Sequence, residues 1–222
     1  MEYECRPLGD RGLLLQFGNI VDSQISIAVH QAHRLLSQPR LPGVCAMVPS
    51  FAALLLEIDL LELSQAGGEG VLIERIAARL EGAAADALTS PARVVEIPTR
   101  YGGDEGPDLI EVARRVQKSP EEVVALHTGP LYRVAQIGFQ PGFPYLLGLA
   151  PELLLPRRDH PRARVPGGSV AMAGAQTGIY PQASPGGWHL LGRTRVSLFD
   201  PANDSPALLR AGDLVRFIAL DH

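Results

Sequence analysis

Lysine is almost missing from this 222-residue chain. Lys118 is the only one, against nineteen arginines. It follows no glycine-rich loop, which excludes a Walker-A phosphate loop. The same scarcity leaves no plausible lysine for a covalently attached carrier cofactor or a Schiff base. Any nucleotide that this protein handles must therefore be bound by a different geometry.

Cysteine and long apolar runs are also scarce. Cys5 and Cys45 form no CxxC or similar motif, so metal or redox chemistry is not expected and reduced thiols are favoured. No stretch approaches the roughly 20 apolar residues of a membrane helix, and residues 1–10 lack the features of a signal peptide. The net charge of −4 argues against a nucleic-acid surface. We expect a cytoplasmic protein with neither a membrane nor a nucleic-acid partner.

Residues 1–90 carry a pattern that predicts a small α+β domain. A strand, a turn and a second strand are predicted over residues 6–17. Asp22 or Ser23 can cap the following helix, and His30 lies off its apolar stripe, which predicts an exposed histidine. The order β-β-α-β-β-α, with both helices on one side, predicts a ferredoxin-like domain. The later elements are expected at residues 44–48, 52–58 and about 70–85.

The composition shifts over residues 82–91, and residues 91–222 are predicted to form a second domain. One helix is expected from Pro107. Ser119 and Glu122 form a capping box for a second helix that ends near His127. Many short strands separated by Gly/Pro turns predict a closed β-barrel with both helices packed on it. The strands are expected at residues 93–97, 131–137, 169–173, 188–191, 196–199 and 214–220.

A loop-rich stretch, residues 136–194, dominates the second domain. Nine of the 23 glycines and eight of the 19 prolines fall between residues 136 and 188, a density typical of linkers. Aromatic residues are interleaved with them, which a disordered tract would lack. We therefore predict ordered loops on a rigid scaffold, where binding and catalysis usually lie.

Four long motifs lie in this domain: YGGDEGPDL (101–109), GFQPGFPYLLGL (138–149), PRRDHPRARVPGGSVAMAG (156–174) and QTGIYPQASPGGWHLLGRT (176–194). In this order they resemble the family of the 5-oxoprolinase B subunit, also called allophanate hydrolase subunit 1 or the KipI-type kinase inhibitor family. The resemblance extends over essentially the whole chain. It implies an α+β protein with an N-terminal ferredoxin-like domain, residues 1–90, and a C-terminal cyclophilin-like β-barrel, residues 91–222. Gly167 departs from the alanine that the family often has, which adds backbone freedom without removing a chemical group.

The resemblance also implies an activity and partners. The chain would be the B subunit of a 5-oxoprolinase complex that opens 5-oxo-L-proline to L-glutamate with ATP as co-substrate. A homologue of the C subunit, of the allophanate hydrolase subunit 2 type, would complete the site, and the A subunit would be required. Allophanate or another small amide remains open as the substrate. A regulatory module that inhibits a sensor histidine kinase is the alternative function, and prolyl isomerisation is a weaker one by fold analogy alone.

Candidate catalytic residues follow from the chemistry of a lactam. The amide is unreactive, and phosphorylation of its oxygen would create a leaving group. Such a site needs donors for phosphate oxygens and for the ring carboxylate, so Arg162, Arg164 and Arg193 are candidates, with solvated surface arginine an equal alternative. His127 is the best histidine for proton transfer, although it could instead complement the end of a helix. Gln176, beside a glycine turn, completes the catalytic candidates with His127 and Arg162.

The substrate-binding candidates are aromatic, glycine, proline and hydroxyl residues of the motifs. Packing in the core and hydrogen bonds within loops are the competing interpretations. No Ser-His-Asp arrangement and no metal-ligand spacing is readable, so no metal or prosthetic group is predicted. The substrate-binding candidates are Tyr101, Phe139, Pro141, Gly142, Phe143, Tyr145, Gly168, Ser169, Thr177, Tyr180 and Trp188.

Overall fold

A computed structural model describes residues 1–82 and 92–220 of the protein. The chain divides into two compact units, Met1–Pro91 and Ala92–His222, which are described one at a time. Within the two described ranges, none of the helices combines the length and the apolar character needed to cross a membrane.

The first unit is a four-stranded antiparallel sheet with helices. The order of strands across the sheet is β1-β2-β4-β3, and every neighbouring pair is antiparallel. The carboxylate of Asp22 accepts hydrogen bonds from the backbone N–H groups of Gln24 and Ile25, which caps the first helix. The elements are β1 (Glu4–Pro7), β2 (Gly12–Gln16), α1 (Ser23–Ser37), β3 (Val44–Pro49), β4 (Ala53–Ile58), α2 (Leu60–Gln65) and α3 (Gly68–Glu81).

The predicted elements of this unit are present, with two differences. The short helix α2 was not predicted, and residues 83–85 of the last predicted helix lie outside the described residues. His30 is buried, so its predicted exposure is wrong: with Val29 and Ala32, it lies on the side of α1 that packs inward. The ferredoxin-like topology stays a prediction.

The second unit is built on a closed barrel of seven strands. Around the barrel the order is β10-β7-β6-β13-β5-β12-β9, and β8 pairs with β11 in a separate ribbon. The pair β13–β5 is parallel and the other barrel pairs are antiparallel. The elements are β5 (Val94–Tyr101), α4 (Leu109–Arg115), α5 (Pro120–Thr128), β6 (Tyr132–Ile137), β7 (Pro144–Leu147), β8 (Arg162–Val165), β9 (Ser169–Ala173), β10 (Gln176–Ile179), β11 (Ser184–Gly186), β12 (His189–Arg193) and β13 (Leu214–Ala219).

The barrel confirms the predicted closed sheet, and local signals explain its helices. Ser119 and Glu122 form the predicted capping box of α5, each side chain bonded to the other residue's backbone N–H. The barrel interior is filled by one apolar cluster that includes Ile97, Tyr132 and Phe217. Closure leaves no strand edge in the barrel unpaired. The cyclophilin-like assignment remains a prediction.

Two parts of the second unit differ from the predicted pattern. The strand predicted at residues 196–199 is absent, and only an isolated bridge joins Phe199 to Ala207. Four unpredicted strands, β7, β8, β10 and β11, lie in the loop-rich stretch. They are short, and most contain glycine or proline, so their local sequence resembles turns, and pairing with distant strands decides their conformation.

Candidate functional site

A buried carboxylate, Asp108, joins three separate segments of the second unit. Arg162 donates from Nη1 to Oδ2 at 2.8 Å and from Nη2 to Oδ1 at 2.7 Å, a bidentate pair. Arg158 donates to Oδ1 at 2.9 Å, and the backbone N–H of Leu190 donates to Oδ2 at 2.8 Å. The Asp108 bridge, which is Asp108 with Arg158 and Arg162, thus connects the start of α4 to the segment entering β8 and to β12.

The environment of Asp108 keeps its carboxylate charged. Burial by itself raises the pKa, but the hydrogen bonds from Arg162 and Leu190 and the charges of both arginines outweigh it, so the pKa lies below its ordinary value. No role in the site was predicted for Asp108. The one sequence signal for this bridge is the run of arginines at residues 157–164, because two of its members bind the carboxylate of Asp108.

An aromatic cluster lies beside this bridge. It consists of Phe139, Phe143, Tyr145, Tyr180 and Trp188, whose rings meet edge to face with centroids 4.9–6.4 Å apart. Phe143, Tyr180 and Trp188 are buried, whereas Phe139 is 63% exposed. The backbone of Phe139 has φ 67°, a left-handed conformation that is uncommon for a bulky residue. An exposed aromatic ring held in a strained turn is a candidate contact surface.

Tyr180 links the aromatic cluster to the arginines. Burial raises the pKa of its phenol, while the backbone N–H of Trp188 and the charges of Arg157 and Arg162 oppose that rise. The phenol therefore stays protonated at neutral pH. The aromatic cluster and the Asp108 bridge together form a positively charged, partly aromatic region on the second unit, which we take as the candidate site.

Gly178 lets the aromatic cluster pack on the barrel. A Cβ at this position would lie 2.8 Å from the carbonyl oxygen of Pro144, 2.9 Å from Cζ of Phe143 and 3.1 Å from Cζ3 of Trp188. Replacing Gly178 with alanine is therefore expected to lower the free energy of unfolding by about 1–3 kcal/mol, as overpacking does. Fluorescence of Trp188, the single tryptophan, during urea unfolding measures this change.

The control for this prediction is Gly70→Ala in helix α3. A Cβ there meets no atom within 4 Å, so the variant is expected to be neutral or slightly stabilising. A Gly178→Ala protein that unfolds at the same urea concentration as the parent would contradict the packing argument.

His127 lies inside the barrel, away from solvent. Its Nδ1 is 2.7 Å from the hydroxyl of Tyr101 and its Nε2 is 2.9 Å from Oγ1 of Thr177. Thr177 donates its own proton to the carbonyl of Ala171, so Oγ1 accepts from Nε2–H and Nδ1 accepts from Tyr101. Burial lowers the pKa of His127 to about 3, which keeps the ring neutral at neutral pH. This position supports a structural role, and a role in proton transfer stays a prediction.

The three predicted catalytic residues occupy three different environments. His127 is in the barrel interior, and Arg162 is in the Asp108 bridge. Gln176 begins β10, next to Thr177. Because successive side chains of a strand point to opposite faces, Gln176 points away from His127. The structure brings together His127, Tyr101 and Thr177, but it does not bring His127 to Arg162.

The other predicted site residues fall into two groups. Pro141 and the buried Gly142, φ 80°, shape the turn after Phe139. A Cβ on Gly142 would lie 2.9 Å from Cβ of Phe199, so this turn packs tightly on the 198–199 segment. Gly168 and Ser169 are elsewhere: both are buried, and Ser169 pairs with Arg193 on β12. Within residues 1–82 and 92–220, no group of three or more His, Cys, Asp or Glu side chains could hold a metal ion.

These features define the class of protein: a two-unit α+β chain whose closed seven-stranded barrel carries an aromatic cluster beside a buried carboxylate–arginine bridge. The family model described as "Carboxyltransferase domain, subdomain C and D" matches residues 3–209. The chain belongs to this carboxyltransferase-domain family. The resemblance drawn from the four motifs is confirmed, because curated relatives are named as the B subunit of 5-oxoprolinase.

One such relative is the 5-oxoprolinase B subunit of Bacillus subtilis (strain 168). It is 40% identical over 226 residues, which cover 99% of this chain and 94% of the relative. Among solved structures, TTHA0988 superposes with a TM-score of 0.79 at 44% identity over 96% of this chain, and this chain spans 40% of the length of TTHA0988. Kluyveromyces lactis urea carboxylase shares the fold with a TM-score of 0.68 at 20% identity, over 99% of this chain and 22% of that one.

Proposed function

We infer that this chain is the B subunit of an ATP-dependent 5-oxoprolinase, which opens 5-oxo-L-proline to L-glutamate. The observation that carries this inference is the identity with the 5-oxoprolinase B subunit of Bacillus subtilis over nearly the full length of both chains. A match of that extent covers both units and all four motifs, so it supports a shared role of the whole protein. The chain would be a cytoplasmic hydrolase subunit.

The geometry of the candidate site suits an anionic heterocycle. The substrate is a flat lactam ring that carries a carboxylate. The exposed ring of Phe139 provides an apolar contact, and the partly exposed guanidinium of Arg162 has N–H groups beyond those bonded to Asp108. Asp108 fixes the orientation of Arg162 before a ligand arrives, which reduces the entropy lost on binding. Arg162 would bind and orient the substrate carboxylate, and ATP would be the co-substrate bound by the complex.

The chain would act with partners, not alone. In TTHA0988 and in urea carboxylase the same fold is a minor part of a much longer polypeptide. This supports a site completed by another protein, for which we propose the C-subunit homologue, together with the A subunit. The exposed ring of Phe139 is the surface that we propose for contact with the C-subunit homologue. A regulatory role toward a sensor histidine kinase or prolyl isomerisation has no comparable support and is an outcome of the test below.

The test measures ADP release that depends on 5-oxoproline. The A and C subunits of the same source are assayed with and without this chain, and glutamate is measured in parallel. We expect ADP and glutamate to appear only when the chain is present. Association with the C subunit without any turnover would reject 5-oxoproline as the substrate. Failure of this chain to co-purify with the C subunit would reject the proposed assignment and favour the regulatory role.

The same assay tests the exposed ring of Phe139. Phe139→Ala is expected to lower kcat/KM of the assembled complex by about fivefold, because it removes an aromatic contact worth on the order of 1 kcal/mol. Ile110→Ala is the control, since Ile110 is also a highly exposed apolar residue, on α4 and outside the aromatic cluster. Equal activities of both variants would show that Phe139 contacts neither the substrate nor a partner.

A further inference from the structure

Two arginines face each other on the outside of the barrel. In the antiparallel pair of β5 and β12, Arg193 lies directly opposite Arg100. Directly opposed side chains share one face of a sheet with Cβ atoms roughly 5 Å apart, and like charges in that position destabilise it. Tyr101, the next residue of β5, points into the barrel, so Arg100 points outward. The fold thus places two exposed arginines opposite each other on one face of the sheet, where like charges carry an energetic cost.

Both arginines line a cavity next to these strands. The cavity has a volume of about 310 Å³, and an adjoining one has about 410 Å³. Arg193 and Arg195 line both, as does Glu105. Apolar walls are present, including Pro98 and Leu220 in the first cavity. The Gly167–Gly168 turn, which contains the predicted site residue Gly168, lines the second.

The charges of this cavity are not balanced by ion pairs. In the part of the chain that the structure describes, no carboxylate lies within ion-pair distance of Arg100, Arg193 or Arg195. Arg193 uses Nε to donate to the carbonyl of Gly167 at 2.8 Å, which leaves its two amino groups available. Glu105 supplies one negative charge against three positive ones. This excess stands out in a chain whose net charge is −4.

Two backbone N–H groups in the wall of the cavity are already engaged in hydrogen bonds within the protein. The N–H of Gly168 already donates to the carbonyl of Tyr180, and the N–H of Thr194 donates to the carbonyl of Gly168. The hydroxyl of Thr194 accepts from the N–H of Val196. The guanidinium groups are therefore the charged donors of the cavity, while the hydroxyl of Thr194 still has a proton to donate.

We propose that this cavity, lined by Arg100, Arg193 and Arg195, binds a phosphate group of a small ligand. Guanidinium groups match the oxygen geometry of phosphate and bind it with pairs of charge-assisted hydrogen bonds. An anion placed between Arg100 and Arg193 also removes their mutual repulsion. The Arg158 and Arg162 side chains are bonded to Asp108, whereas these three are not bonded to any carboxylate described, so the two regions differ in what they can bind. Arg193 is also a candidate donor for phosphate oxygens in the proposed ATP-dependent reaction, but the binding test below does not require that the chain be a 5-oxoprolinase subunit.

The first test is calorimetric titration of the full chain with inorganic phosphate, and separately with ADP. Arg100→Gln and Arg195→Gln are each expected to weaken binding about tenfold or more. Arg216→Gln is the matched control, because Arg216 is an exposed arginine of the neighbouring strand β13 that does not line the cavity, and it should leave the affinity unchanged. Tighter binding of ADP through the same arginines would identify the ligand as a nucleotide. Binding of inorganic phosphate without binding of ADP would identify it as a free anion.

The second test is the change in Tm of Arg100→Gln, which should be a rise, whereas loss of an arginine that only stabilises the fold would lower Tm. Without phosphate, Arg100→Gln should raise Tm by about 2–4 °C, because it removes a repulsion. Phosphate should raise Tm of the parent protein and not that of the variant. Asp221 and His222 follow Leu220 in the sequence and lie outside the described residues, so a chain without them is tested as well.

Three results would overturn the proposal. One is phosphate affinity that is the same in the parent, Arg100→Gln and Arg195→Gln proteins. Another is phosphate binding that is seen only after removal of residues 221–222. In that case the cavity of the full chain would be filled by its own residues 221–222 and not by phosphate. A third is loss of association with the C subunit in Arg100→Gln without any phosphate binding by the parent, which would make the cavity a contact for a partner's carboxylate.

Discussion

Replacing Asp108 with alanine is expected to lower the free energy of unfolding of the second unit by about 3–5 kcal/mol. The variant leaves Arg158 and Arg162 without their shared carboxylate and the buried N–H of Leu190 without its side-chain acceptor. It also separates α4, β8 and β12, which the bridge joins. Equilibrium unfolding in urea, followed by the fluorescence of Trp188, measures the loss.

Glu111→Ala is the control for this prediction. Glu111 is also an acidic residue of the α4 region paired with an arginine, Arg114, but that pair is exposed and no measurable change is expected. Equal unfolding midpoints of the two variants would show that the Asp108 bridge does not hold the three segments together. Because the pKa of Asp108 is lowered on folding, its contribution is present above the carboxyl's ordinary range and is lost as the pH falls through the folded-state value.

Acidification from pH 6.5 to pH 5 is expected to lower the stability of the second unit by about 1.6 kcal/mol through His127 alone. Burial lowers the pKa of His127 to about 3. The unfolded chain, with an ordinary pKa near 6.5, therefore binds a proton between these values that the folded protein does not bind. Stability thus falls as the pH decreases, with a slope that approaches about 1.4 kcal/mol per pH unit well below pH 6.5.

His127→Gln tests this pH dependence. Glutamine keeps a side-chain hydrogen-bonding group but has no proton to gain, so the variant is expected to be less stable at pH 7 and to lack this component of the slope. The difference between the two slopes, again from Trp188 fluorescence in urea, isolates His127 from the other histidines. Parallel slopes for the parent and the variant would show that the imidazole is charged or solvated in the folded protein.

The burial of the neutral His127 ring also bears on catalysis. A histidine that stays neutral, with Tyr101 and Thr177 occupying both ring nitrogens, needs a rearrangement before it can take a proton from a substrate. If His127→Gln retained turnover in the assembled complex at a temperature where it is folded, its role would be structural. Loss of kcat in a folded variant, with KM unchanged, would instead favour the predicted proton transfer.

Elements with local signals were predictable from the sequence. Asp22 caps α1, and Ser119 with Glu122 caps α5, because each cap forms between residues two or three apart. The strands predicted at residues 52–58, 131–137 and 214–220 correspond to β4, β6 and β13 within one residue at each end. The strands β8, β10 and β11 were missed because glycine, proline and arginine give them no periodic pattern, and their partners lie elsewhere in the chain.

The candidate site was predictable in part. The aromatic residues of the motifs do come together, as Phe143, Tyr180 and Trp188 show, but they form a buried cluster with only Phe139 largely exposed. Asp108 was not recognised as a site residue. Its two arginine partners are 50 and 54 residues away, and no local pattern connects a carboxylate to them.

The sequence alone was enough for the family, the order of most elements and the absence of a Walker-A loop, because these depend on motifs and on neighbours along the chain. Only the tertiary structure decided which charges are paired. Arg162 is bound to Asp108, while Arg193 is placed opposite Arg100 and forms no ion pair with a carboxylate among the described residues. It also decided that His127 is neutral, because burial and contact with Thr177, 50 residues away, control its protonation. Pairing and burial arise from long-range packing, which no local pattern in this chain encodes.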